Sequence, residues 1–143
     1  MPGKKVRLRV ITPEKIKVDE ETDMVIVRCT TGDWGILPGH ESHWAALGIG
    51  VLRMLNGGEE RKLAVFGGIA EVQNDVVTIL TSNAELPEDI DRTRAEADHE
   101  IAVQRLQKSV NDFEIQSDQV SLRRSLVRIE VSSYPLISKQ EEE

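Results

Sequence analysis

Asp91 and Arg94 stand three residues apart, and two more arginines, Arg124 and Arg128, follow beyond a polar break at Asn111-Asp112. Residues three apart share a helix face, so the plain reading of Asp91 and Arg94 is an intrahelical ion pair. A second reading comes from folding the chain back about Asp112. Arg94 then lies 18 residues before the centre and Arg128 16 after it, nearly opposite one another, with Arg124 one turn away beside Arg128. Three guanidiniums gathered in one place call for an anion, and guanidinium forks fit phosphate oxygens. Arg123, Arg124 and Arg128 have another possible use: a basic helix face can dock on an acidic surface.

No catalytic constellation accompanies them. Gly48-Ile49-Gly50 lacks the Gly, Lys and Ser/Thr that complete a phosphate loop, and no serine sits in an elbow motif. His40 and His43 are near neighbours, whereas His99 belongs to another part of the chain. A metal site from His40 and His43 with Asp33 or Glu41 is conceivable, but the expectation is no metal and no enzyme. Cys29 has no ligand companions and reads as a buried, inert thiol. The segment Thr31–His40 is more informative. Gly32, Gly35, Gly39 and Pro38 surround Ile36-Leu37, which predicts a tightly shaped surface loop with both apolar residues tucked inward. It reads either as a long hairpin turn or as a contact surface.

The elements that position these residues differ between the two halves. Residues 5 to about 86 read as β. Val6, Leu8 and Val10 alternate with Arg7 and Arg9, and Lys15–Val18 alternates likewise. Further β-rich runs fall at Met24–Arg28, Gly50–Leu55, Arg61–Phe66, Ile69–Gln73 and Val76–Thr81. Asn56-Gly57-Gly58 and Gln73-Asn74-Asp75 are hairpin turn chemistry. Many short strands at close spacing predict a sandwich or flattened barrel.

At Leu86-Pro87-Glu88-Asp89 the pattern changes to a helix start. Ala95, His99, Ala102, Leu106, Val110 and Phe113 form one stripe at steps of three and four. Asn111-Asp112 and Ser117-Asp118 supply turn and cap residues, and Leu122, Leu126 and Ile129 make a second, thin stripe. The fold class is therefore α+β: an N-terminal antiparallel β-sandwich over 1–86, an antiparallel helix-turn-helix hairpin over 87–134, and a tail, 135–143, expected to be disordered. Residues 88–112 carry net −3 and residues 119–131 net +2, so the arms should attract. Stripes this thin make the hairpin marginal without a docking surface, and two arrangements a few kcal/mol apart can be repopulated by a ligand or partner.

The 143 residues carry a net charge of −7, which argues against a nucleic-acid partner. Aromatics are scarce, leaving no stacking platform for bases. No apolar run approaches the roughly 18 residues of a membrane span, and the basic Met1–Lys5 start has no apolar stretch after it, so secretion is not indicated.

Four segments, in order, carry a family resemblance. Ile11-Thr12-Pro13 looks like its opening strand and exit. Gly32-Asp33-Trp34-Gly35-Ile36-Leu37-Pro38-Gly39-His40 resembles the G-E-x-G-I-L-P-G-H signature of the epsilon subunit of bacterial F-type ATP synthases, with Asp33 in place of Glu. Phe66–Val72 resembles its G-G-x-x-E-V segment, and Ile90–Ala95 fits its I-D-x-x-R-A motif at every fixed position. The resemblance implies a non-catalytic rotor subunit of the central stalk in a proton- or sodium-translocating ATP synthase, peripheral on the cytoplasmic face of the membrane. Its sandwich would bind the gamma subunit and the c-ring, with Asp33 and His40 as the ring-facing contact. Its hairpin would be a brake on ATP hydrolysis: compact it permits rotation, extended it meets the alpha and beta subunits. Some bacterial members bind ATP as a regulatory ligand, and the resemblance maps Glu85, Asp91, Arg94, Arg124 and Arg128 onto their contacts. Where those members have a further arginine in the first helix, this chain has Ile101, so weaker binding is expected. The rival reading is a free-standing nucleotide-sensing sandwich with a ligand-responsive hairpin.

Overall fold

The computed structural model describes residues 4–142, with side chains as far as Ser133. Eight strands precede two helices: β1 (Val6–Ile11), β2 (Ile16–Thr22), β3 (Met24–Cys29), β4 (Gly32–Ile36), β5 (His43–Asn56), β6 (Glu59–Gln73), β7 (Val76–Leu80), β8 (Ala84–Glu85), then α1 (Arg92–Lys108) and α2 (Asp112–Glu142). The strands run in the order β2-β1-β7-β6-β5-β3-β4, with β8 paired to β6. The sheet curls into a sandwich, because β1 and β3, which share no ladder, touch and contribute to one core. Val6, Leu8 and Val10 meet Val25, Val27, Leu52, Leu63 and Ile79 there. Alternation of buried and exposed residues along β1 and β3 puts one face of each strand into it.

Sequence and structure differ in instructive places. The sandwich is not antiparallel throughout, since β1 pairs with β7 in parallel. The runs expected as Arg61–Phe66 and Ile69–Gln73 are one strand, β6, which passes through Gly67 and Gly68 at φ 83° and 117°. Both expected hairpin turns form: Gly57-Gly58 and Asn74-Asp75 each place two successive residues at positive φ, which suits the right-handed twist of the strands they join. The Thr31–His40 segment is a strand before it is a loop. Ile36 is fully buried, but Leu37 is 54% exposed. Consecutive residues of an extended chain point to opposite sides, so both could not tuck inward.

α1 starts at an Asp91 cap and buries Ala95 and Ala102, and the next residues of the expected stripe, His99 and Leu106, are half-buried. The stripe stops there. Val110 and Phe113 are 83% and 80% exposed, because the helix ends at Lys108 and the chain turns. The second helix begins at Asp112, with the Asn111 carboxamide oxygen accepting from the Glu114 N–H at 2.9 Å. Ser117-Asp118 therefore lies inside α2 rather than capping it, and Asp118 receives the Ser109 hydroxyl at 2.6 Å, tying the arms. In α2 the expected central residue, Leu126, is 48% exposed, whereas Ser125, Val127 and Val131 are buried. Two surfaces compete for this helix, α1 and the sandwich, and the single stripe inferred from spacing accounts for only one. The tail expected to be disordered from 135 instead continues the helix through Glu142. Pro135 suggests a stop, but Lys139, Gln140, Glu141 and Glu142 are good helix formers. Glu143 lies outside the described residues.

Candidate functional site

The run Leu63-Ala64-Val65-Phe66 is buried at four consecutive positions, so both faces of β6 are covered. Leu63 and Val65 point into the sandwich core. Ala64 and Phe66 point the other way, to Val127 and Val131 of α2, with Ile49, Val51 and Ile90 around them. This second, smaller cluster seats the hairpin on the sandwich.

Arg128 lies at its edge. The Nε–H donates to Glu85 Oε1 at 2.8 Å and an Nη2–H to Oε2 at 3.1 Å. Glu85 comes from β8, held against Ala64 of β6, and its Oε2 also accepts from the Asn83 carboxamide at 3.1 Å. The guanidinium carbon sits 4.8 Å from the centroid of the Phe66 ring, within cation–π range. The Glu85 hydrogen bonds, and secondarily the charge of Asp98, push the Arg128 pKa above its ordinary value. Two further ion pairs join the units at the rim, Lys62–Glu130 at 3.1 Å and Lys17–Asp89 at 3.3 Å.

Of the five residues marked for nucleotide, the structure thus joins two, Glu85 and Arg128. Asp91 has a structural role, because its carboxylate accepts from the Arg94 backbone N–H at 3.1 Å as the cap of α1. The Asp91–Arg94 pair is therefore a cap rather than the side-chain ion pair its spacing allowed. Arg94 and Arg124 are exposed, and no ion pair is formed by either among the described residues. Of the three guanidiniums expected to gather around an anion, Arg128 already has a carboxylate partner in Glu85. Phe66, Asn83 and Asp98 were not anticipated. The unbroken apolar run 63–66 was the available signal for Phe66, since a strand covered on one face alternates.

On β4, Asp33 pairs with Arg28 of β3 at 3.2 Å, both exposed. Trp34 is flanked edge-on by His40 and His43, with ring centroids 5.4 and 5.3 Å away. The Gly39 N–H donates to Asp75 Oδ1 at 2.7 Å, clasping the loop to the β6–β7 turn. His40 is thereby held in place, while Asp33 stands on the surface. Among the described residues no group of three ligands is arranged for a metal. Cys29 is buried in the core, and burial, then the nearby Asp33 charge, pushes its thiol up.

A curled eight-stranded sandwich that carries an ion-paired helical hairpin defines the class, a two-part sandwich–hairpin protein. Residues 5–87 match the beta-sandwich domain of the ATP synthase Delta/Epsilon chain, and residues 88–133 match its long alpha-helix domain. The chain belongs to the ATP synthase delta/epsilon chain family. An ATP synthase epsilon chain of Bacillus licheniformis is 40% identical over 129 residues, covering 90% of this chain and 98% of that one. The Bacillus subtilis chain of the same name is 41% identical at the same coverage. Among solved structures, a chain of the Euglena gracilis mitochondrial ATP synthase (OSCP, F1 and c-ring) matches with a TM-score of 0.76 at 24% identity, covering 94% of this chain and 86% of that one. A Tetrahymena thermophila mitochondrial ATP synthase chain (central stalk and c-ring) follows at 0.61 and 13%, covering 90% and 97%. At those identities the likeness is one of fold.

Proposed function

We propose that this chain is the epsilon subunit of an ATP synthase: a non-catalytic rotor component whose sandwich binds the gamma subunit and the c-ring and whose hairpin restrains ATP hydrolysis. Family membership and relatives named as epsilon chains over nearly their full length support the assignment. The observation that carries the regulatory part is the separation of cores. The sandwich has a complete core of its own, while the hairpin touches it through the smaller cluster of Ala64, Phe66, Val127 and Val131, with Ile49, Val51 and Ile90 around them, plus rim charges. A unit seated on so small an apolar patch can leave without unfolding its support.

In this reading Asp33 and His40 face the c-ring, and the exposed Arg123 and Arg124 meet acidic surface on alpha and beta when the hairpin extends. The complex holds the chain at the cytoplasmic face of the membrane, and no described helix is long and apolar enough to cross it. ATP is the proposed regulatory ligand, taken by Glu85, Asp91, Arg94, Arg124 and Arg128.

The test compares reconstituted ATP synthase containing the full chain with enzyme whose chain stops after Leu86. The truncated subunit should support proton pumping and give faster ATP hydrolysis. Equal hydrolysis rates would remove the brake. A full-length chain that does not co-purify with gamma would point instead to a free-standing nucleotide sensor.

A further inference from the structure

We infer that Arg128, held between the Glu85 carboxylate and the Phe66 ring, is a latch that closes the hairpin without any ligand, and that the Glu85 charge opposes a phosphate-bearing ligand at Arg128. The inference rests on the hairpin being the moving part, as proposed above, and adds what holds it when no nucleotide is present.

Three features make this contact different from an ordinary surface ion pair. It joins the two units: Glu85 and Phe66 belong to the sandwich, Arg128 to α2. It is bidentate, at 2.8 and 3.1 Å, and charge-assisted bonds in a fork are the stronger kind. It is also partly withdrawn from water, with side-chain exposures of 29% for Arg128 and 20% for Glu85. Salt screens such a pair less than an open one, yet enough water reaches it to avoid the full cost of burying two charges. The guanidinium carbon lies over the Phe66 ring, 4.8 Å from its centroid, and Asn83 steadies Glu85 Oε2. Only a planar, delocalised cation fits both partners, so lysine should not replace Arg128.

The same geometry bears on a ligand. Two of the five guanidinium N–H groups are spent on Glu85, so phosphate oxygens approach Arg128 against a carboxylate charge already in place. Glu85 therefore holds the closed state in the absence of nucleotide and opposes phosphate at Arg128.

The test is hydrogen exchange of the isolated full-length chain without nucleotide, read by mass spectrometry for wild type, Glu85→Gln, Arg128→Lys and Phe66→Leu. Amides of α2 between residues 122 and 133 should exchange about tenfold faster in Glu85→Gln and Arg128→Lys, as expected for loss of a charge-assisted bond, with a smaller rise in Phe66→Leu. Amides of β1, β3 and β7 should stay at wild-type rates, which also reports that each variant folds. Wild-type exchange of α2 in both Glu85→Gln and Arg128→Lys overturns the latch. So does lysine behaving as arginine, which would reduce the contact to charge alone. Neither result bears on the brake, which the truncated enzyme tests separately. Sodium tripolyphosphate then probes the competition: its apparent affinity should rise several-fold in Glu85→Gln, and an unchanged or lower affinity overturns that half of the inference.

Discussion

Trp34 donates its indole N–H to Nε2 of His40 at 3.2 Å, and the other ring nitrogen of His40, Nδ1, lies 2.7 Å from the Glu41 carbonyl oxygen. Indole nitrogen can only donate. Nε2 must then be the acceptor, which leaves the proton on Nδ1 for Glu41. The loop that holds His40 is therefore built around a neutral imidazole of one tautomer. Without that acceptor the indole N–H loses its partner, and the loop should loosen while the core stays folded. In a Trp44→Phe chain, whose only remaining indole is Trp34, His40→Ala should shift the fluorescence to the red. A Trp34 signal unchanged by His40→Ala contradicts the assigned bond.

Hairpin docking rests on Val131, not on Leu126. Val131 is fully buried against Ala64 and Phe66, whereas Leu126 is 48% exposed. Val131→Ala should cost about 1–2 kcal/mol of docking, the lower part of the range for removing buried methyls, and Leu126→Ala about half a kcal/mol or less. Chemical denaturation followed at the hairpin gives both numbers, and the reverse ranking would place the wrong face of α2 on the sandwich.

The contrast between those two residues shows what could be read from the chain. The two-part architecture, both hairpin turns and the Ala95–Leu106 stripe were legible because each depends on local rules: period, turn chemistry, cap position. Leu126 misled because helical spacing shows which residues share a face but not which of two partners that face meets. Leu37 misled for a similar reason, since apolar character outweighed the alternation that puts it outside. At the site, Glu85 and Arg128 were marked by family likeness, but their mutual pairing was hidden. They lie 43 residues apart, and only the docking of α2 on β6 brings them together.

Gly68 should be close to irreplaceable. Its φ is +117°, and a Cβ there would lie 2.1 Å from the Leu80 carbonyl oxygen, a backbone atom that cannot step aside. Gly68→Ala should cost about 2 kcal/mol or more, combining strain at positive φ with displacement of β7. Gly57, also at positive φ but with open space around it, isolates the conformational part, and Gly57→Ala should cost about 1 kcal/mol. Thermal unfolding of the two variants should separate them clearly. Equal losses would mean that the approach to Leu80 is relieved by relaxation.

Asp23 gives the chain an acid-sensitive contact. The Gly57 N–H at 2.8 Å, and then Lys5 at 3.1 Å, hold its carboxyl below the usual carboxylate range. A depressed pKa contributes stability that is present above the unfolded-state value, near 3.9, and is lost as pH falls through the folded-state value. Asp23→Asn should thus be less stable than wild type at pH 7, with the gap closing in acid as pH falls below the unfolded-state value and through the lower folded-state one. Urea midpoints at pH 7 and in acid measure this. A gap that persists in acid would assign the effect to something other than ionisation.

The proposed nucleotide response is best probed away from Arg128. Removing Arg128 also removes the Glu85 contact, so lost binding and a loosened hairpin would be confounded. Arg94 and Arg124 are exposed and carry no ion pair among the described residues, which makes alanine there structurally cheap. If the hairpin takes Mg-ATP as proposed, Arg94→Ala and Arg124→Ala should each weaken binding at least tenfold while leaving the melting of the free chain within a degree or two. Ile101 is exposed on α1 beside buried Ala102, so Ile101→Arg adds a cation at no packing cost and should tighten binding. At a free concentration 100 times its dissociation constant, the ligand would stabilise the compact state by about 2.7 kcal/mol. That suffices to shift a balance of a few kcal/mol only if the extended state binds far more weakly. Calorimetry on the isolated chain decides. No heat at millimolar Mg-ATP, with Ile101→Arg equally silent, would leave the Glu85–Arg128 contact and the partner subunits as what sets the hairpin.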